Sequence, residues 1–275
     1  MSTGVAADRD RERLRRRPAG AWLPLALAGV LVLTAIAYPL SAGAGRDVVS
    51  WAIVILGATL SVLHAWLAHG RRTGAGLLLL VAVTALAFEA LGLATGFPYG
   101  RYTYSAALGP TLLGVPFLVP LAWLMMAWPS WILAVRLAPS RRWVRVATAA
   151  AVFAGWDVVL DPQMVQAGYW TWAHPSPGLP GIDTVPLTNL GGWLLAGVVL
   201  MTLLDVVVRR TSVAGAPRIG DGAPLLALGW MTLGGALAHA GWLDLPGSAA
   251  WGVALAVPVL IALLVARRHS PGRRL

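Results

Sequence analysis

The sequence predicts an all-α protein, a polytopic transmembrane helical bundle of about eight spans with both termini cytoplasmic. Three observations predict it. Of 275 residues, 58% are hydrophobic and only 12% are charged, a composition outside the range of ordinary soluble domains. Apolar runs long enough for a helix to cross ~30 Å of hydrocarbon recur along the chain. The 21 basic residues are all arginine, and they gather in alternate connections.

In order, the spans read 21–40, 49–69, 75–94, 111–135, 143–160, 187–208, 223–242 and 249–266. They form one transmembrane domain, 21–266, between basic tails 1–20 and 267–275. The first run is long and no small-residue cleavage site precedes the second, so it reads as a retained span and not as a cleaved signal peptide. The fourth carries Pro116, Pro120 and Pro129; proline inside a span frees a backbone carbonyl, which a cavity or a neighbouring helix must satisfy. The fifth ends at Asp161, which Pro162 pushes toward an extended conformation. Connections 95–110 and 161–186 are longer than the others and rich in Gly, Pro and aromatic residues.

Nineteen arginines fall on one side: six in the N-terminal tail, Arg71 and Arg72, four from Arg136 to Arg145, three from Arg209 to Arg218, and four in the C-terminal tail. Only Arg46 and Arg101 fall on the other. Positive residues stay preferentially cytoplasmic, which gives the orientation and a place in the plasma membrane. The net charge of +10 therefore needs no nucleic-acid partner; the bilayer accounts for it. With no cysteine in the chain, disulfides and thiolate chemistry are excluded.

Carboxylates at membrane depth are the candidate functional groups, because an ionisable residue there costs ~2.5 to 3.5 kcal/mol on insertion scales and is retained for chemistry. Asp157 and Asp161 lie four apart, on one helical face and ~6 Å apart along the axis. A helix C-terminus and a like-charged neighbour both work against ionising the two together, so one serves as a proton donor and its partner as a base. Glu89 stands about a turn and a half before the end of the third span, at the same depth, and His239 of the seventh span joins them. Tyr102, Tyr104, Arg101, Trp170, Trp172 and Asn189 surround them in the connections and at the start of the sixth span.

Blocks of this chain resemble a known family. EALGLATGFPYGRYTY (89–104), LGPTLLGVP (108–116), DVVLDPQMV (157–165) and GYWTW (168–172) are similar to the integral-membrane carotenoid 1,2-hydratases, of the γ-carotene 1′,2′-hydratase and bisanhydrobacterioruberin hydratase type. The resemblance covers most of 89–193. Tyr99 departs from it, standing where the family has phenylalanine, and TVPLTNLGGW (184–193) is a looser match. It implies addition of water across the terminal C1–C2 double bond of an acyclic carotenoid, lycopene-like or C50, giving a tertiary alcohol without a redox cofactor. One of Asp157 and Asp161 then donates the proton, and Asp161 or Glu89 activates water. Tyr102, Tyr104, Trp170 and Trp172 line the polyene end, with Arg101, Asn189 and His239 close by. Other carotenoid-pathway enzymes are the expected protein partners.

Other readings remain open at this stage. Asp161 before proline also suits a turn cap at the interface, Glu89 a structural partner of Arg101, and Trp170 and Trp172 an interfacial aromatic belt. His64 reads as a packing residue, and Asp205, near Arg209, as structural. The Asp-x-x-x-Asp spacing also fits a magnesium site of an intramembrane prenyltransferase, although one such motif on the arginine-poor side suits diphosphate badly. A proton-coupled transporter would use Glu89, Asp157, Asp161 and His239 as a relay. Five histidines without a tight cluster do not fit a membrane di-iron oxygenase.

Overall fold

The computed structural model describes residues 20–213 and 219–268, with side chains as far as Ile261. Most of both basic tails, and Arg218, lie outside the described residues. Eight helical segments occupy the eight predicted runs: α1 Leu23–Ala37, α2 Gly43–His69, α3 Arg71–Thr95, α4 Leu118–Leu137, α5 Arg142–Gln166, α6 Leu187–Thr211, a broken seventh at Gly222–Gly241, and α9 Pro246–Arg268. The seventh consists of α7 Gly222–Gly229, a π-helical turn Trp230–Gly234 and α8 Gly235–Gly241. Six of the eight are long and apolar enough to cross a membrane. The first is shorter, 15 residues or ~22 Å at 1.5 Å per residue.

The bundle is organised around α4. Its membrane-length window is 78% buried, more than any other, which is what a helix apolar all round requires. Pro129 lies inside it and offers no N–H to the Met125 carbonyl one turn back. Ser61 of α2 donates to that carbonyl at 3.2 Å. One turn before Ser61, Gly57 lets the two helices close, since a Cβ there would overlap the Met125 side chain.

The same device corrects the predicted end of the fifth span. Helix α5 runs through Pro162 to Gln166, so Asp161 is not a helix terminus and caps no turn. Pro162 leaves the Val158 carbonyl without its helical donor, and Ser248 of α9 donates to that carbonyl at 3.1 Å. A second correction falls on the fourth span, which starts at Leu118 and not at 111. Residues 111–117 turn back as a small hairpin, β2 Thr111–Leu112 against β3 Val115–Pro116, around Leu113 and Gly114, both at positive φ, as a two-residue hairpin turn demands.

The arginine-rich end is fastened by Asp205 of α6, 1% exposed. Its Oδ1 accepts from Arg145 at 2.6 and 2.9 Å, and its Oδ2 lies 3.1 Å from Arg142 and 2.9 Å from Arg209. Arg145 also donates to the Pro139 carbonyl at 2.8 Å, tying the α4–α5 turn to α6.

Candidate active site

At the arginine-poor end the two long connections are not independent loops. Tyr-Thr-Tyr (β1, Tyr102–Tyr104) pairs antiparallel with Trp-Thr-Trp (β4, Trp170–Trp172), placing Tyr102 opposite Trp172 and Tyr104 opposite Trp170. Side chains alternate faces along a strand, so the four aromatic rings share one face while Thr103 and Thr171 point to the other and are exposed. The rings meet edge to face, Tyr102 on Tyr104 at 5.3 Å and Tyr104 on Trp170 at 5.7 Å, a favourable aromatic geometry. The aromatic face closes one end of a cavity of about 350 Å³.

Glu89 of α3 projects into this cavity and is 4% exposed. Its Oε2 accepts from both phenols, Tyr102 at 2.5 Å and Tyr104 at 2.7 Å. Gly92, one turn on, makes the approach possible, since a Cβ there would stand 2.9 Å from the Tyr102 hydroxyl. Burial, then the adjacent Glu89 carboxylate, pushes both phenols well above the ordinary tyrosine range, so both are donors at physiological pH.

Asp161 lines the cavity too, but Asp157 does not. Asn189 joins them: its Nδ2 donates to Asp161 Oδ2 at 2.5 Å and to Asp157 Oδ2 at 2.8 Å. All three are at most 3% exposed. One amide thus holds two carboxyl groups, the first facing the cavity and the second directly behind it.

The remaining predicted positions divide. Tyr102, Tyr104, Trp170, Trp172 and Asn189 line the cavity. Arg101 does not; it is exposed and forms no pair with Glu89, whose Oε2 the two phenols occupy. The strand alternation that turns Tyr102 inward turns Arg101 out. His239 is fully buried one layer back, bonded to Ser248 at 2.9 Å and to Gln163 at 2.9 Å, and Gln163 stands between it and the cavity. Sequence reasoning missed Gln163, Tyr99, Trp123, Trp156 and Trp193 as lining residues. Nothing in the local spacing of the tryptophans marks a cavity wall. Tyr99 fits because Gly192 faces it; a Cβ there would stand 2.5 Å from its ring.

The site therefore combines an apolar, aromatic chamber with two carboxyl groups inside and a third in reserve. Residues 49–266 match the sequence profile of the carotenoid biosynthesis protein family, and the chain belongs to that family. It is also similar to a bisanhydrobacterioruberin hydratase of Haloarcula japonica, 38% identical over 141 residues, which are 49% of this chain and 45% of that protein. The matched region thus spans under half the length of that relative. No solved structure matches the chain.

Proposed function

We propose that this multi-pass membrane protein is a carotenoid hydratase, a hydro-lyase that adds water to the terminal C1–C2 double bond of an acyclic carotenoid end. The observation that carries the proposal is that Glu89 and Asp161 face one aromatic-walled cavity from separate helices. The similarity to a bisanhydrobacterioruberin hydratase supports the same reaction class.

Asp161, protonated, donates its proton to C2 of the alkene, and the electron pair of the double bond forms the new C–H bond. The resulting tertiary cation at C1 is stabilised by the π faces of Tyr102, Tyr104, Trp170 and Trp172, each contributing ~0.5 to 2 kcal/mol when desolvated. Water adds its oxygen to C1 and loses a proton to Glu89. Two phenol donors stabilise the ionised form of Glu89, which suits it to be the base. The cycle closes when that proton returns to the aspartate pair. Asp157 acts through Asn189 and Asp161 and is a positioning residue. Two carboxyl groups held by one amide, out of water, share a proton more readily than both ionise, which keeps a proton on the pair for Asp161 to deliver. The substrate class is a lycopene-like or C50 polyene, with water as co-substrate and the plasma membrane as the compartment; other pathway enzymes are the expected neighbours.

The test is pigment analysis in a lycopene-producing host carrying Asp161→Asn, Glu89→Gln or Asp157→Asn. Gain of one water should vanish with the first two and slow with the third. Full hydration by all three variants sinks the proposal.

A further inference from the structure

Among the residues lining the cavity, only four are exposed: Ile36 (43%), Leu40 (68%), Leu237 (59%) and Trp242 (59%). The rest of the lining is buried or half-buried. Two of the four lie at the arginine-poor end of α1 and the turn after it, and two at the same end of the seventh span. These helices run parallel, and α1 packs against α7, the first part of that span. Beyond Gly229 the cavity intervenes, with residues 35–40 on one side and Trp230, Met231, Gly234 and Leu237 on the other.

The π-helical turn shapes that second wall. Trp230–Gly234 has no buried residue, and its wider turn is a form that helices adopt at functional sites. Gly234 leaves room for the Trp230 indole to fold back along the helix, since a Cβ there would meet the ring at 2.8 Å. Gly235 lets the span approach α5, where a Cβ would come within 3.0 Å of Val159. All four rim side chains are apolar or indole, and both flanking helices are apolar, the surface chemistry of an opening toward lipid.

We infer that this gap between α1 and the seventh span is a lateral portal through which the end group of a long apolar polyene enters from the membrane. The inference rests on the carotenoid reading above and adds the route and the amount of substrate taken in. A cavity of about 350 Å³ is at the small end of sites for drug-sized ligands. An extended forty-carbon chain is comparable to the ~30 Å thickness of the hydrocarbon core. Only one end therefore enters, past Ile36 and Leu237 to Asp161 and Glu89, while the rest stays in lipid. A substrate with two reactive ends must leave and return by its other end between hydrations.

The chain has no cysteine, so a single introduced thiol is uniquely addressable. Leu237→Cys and Ile36→Cys, in proteoliposomes, are each treated with a bulky aromatic methanethiosulfonate and then with reductant. Leu79→Cys on α3, 68% exposed and away from the cavity, is the control. Two signals are followed with lycopene, its hydration and its quenching of tryptophan fluorescence, which reports binding without chemistry. Labelling at 237 or 36 should lower both by about tenfold or more, reductant should restore them, and the control should not change. Labelled proteins that bind and hydrate as fast as their unlabelled forms overturn the portal and leave the hydratase reading standing. Quenching without hydration in every unlabelled form overturns the hydratase reading, and the labelled quenching then decides the portal by itself. Neither signal in any form overturns both.

Discussion

Asn189→Ala removes the one side chain bonded to both aspartates. Its amide nitrogen lies 2.5 Å from Asp161 Oδ2 and 2.8 Å from Asp157 Oδ2, and Asn189 itself is 2% exposed, so bulk water does not replace it without repacking. A hydrogen bond to a charged group contributes ~1.5 to 3 kcal/mol. Both bonds support the ground state, but in the proposed mechanism only the one to Asp161 strengthens, as that acid gives up its proton to the alkene and becomes a carboxylate. Losing that bond from the transition state slows turnover by about 10- to 150-fold. On the proposed reading the polyene is held by apolar walls that the substitution leaves in place, so the loss is expected in kcat and not in KM. Initial rates of hydrated pigment formation over a range of lycopene concentrations in proteoliposomes measure the two separately, with thermal unfolding as the check on folding. A folded Asn189→Ala protein with undiminished kcat would refute the aspartate pair as the proton source.

Two further predictions concern single bonds. Tyr102→Phe and Tyr104→Phe each remove one of the two donors to Glu89 and should each slow turnover by about tenfold; because burial and the neighbouring carboxylate push both phenols upward, an ultraviolet titration should show neither ionising in the ordinary tyrosine range, and two normal phenol transitions lost on these substitutions would contradict the geometry. Ser248→Ala should destabilise the protein by ~1 to 3 kcal/mol in detergent unfolding, and by about 1 kcal/mol less in a Pro162→Ala background, where residue 162 regains an N–H for the Val158 carbonyl; equal costs in both backgrounds would show that the serine does not act through that carbonyl.

Much of the fold was legible because hydropathy is a one-dimensional signal: a run such as 75–94 announces a span whatever its neighbours do. The end of the fifth span was not. The rule that proline ends a helix is local, whereas the donor that lets α5 continue, Ser248, comes 90 residues after Val158. The aromatic ribbon was missed for a related reason. Tyr-Thr-Tyr and Trp-Thr-Trp each show a two-residue period, but three residues are too few to separate a strand from an aromatic belt, and the partner segment lies 68 residues away. Nearness in sequence misled for Arg101, which the alternation of β1 sends outward. Depth misled for His239, which shares the level of the carboxylates but stands behind Gln163. In the Asp157 and Asp161 pair the spacing gave the shared face, yet only the position of Asn189 separates the acid in the chamber from the one behind it.

That separation also weighs the two competing chemistries. A magnesium site needs both carboxylates turned to one cation with oxygen donors around it; here an amide N–H group occupies the point between them, and Asp157 has no access to the chamber. Diphosphate would want basic partners, but among the described residues the cavity lining contains no arginine, and the Arg142, Arg145 and Arg209 cluster is at the other end of the bundle. A proton-driven transporter needs polar groups continuing to that end. His64, Arg136 and Asp221 do form a cluster there, with Arg136 donating to Asp221 at 2.5 and 2.8 Å and Trp128 to His64 at 3.1 Å. Between it and the site, however, α4 presents Trp123, Leu124, Met125, Met126 and Ala127, all buried and apolar. A chamber that is polar only at its arginine-poor end offers a proton no polar path across the bundle, but it can hold a carbocation away from bulk water while one carboxyl group delivers a proton and another removes one. Hydration of an alkene asks for that division of labour, which is why the apolar floor of the cavity supports the hydratase reading as strongly as the acids do.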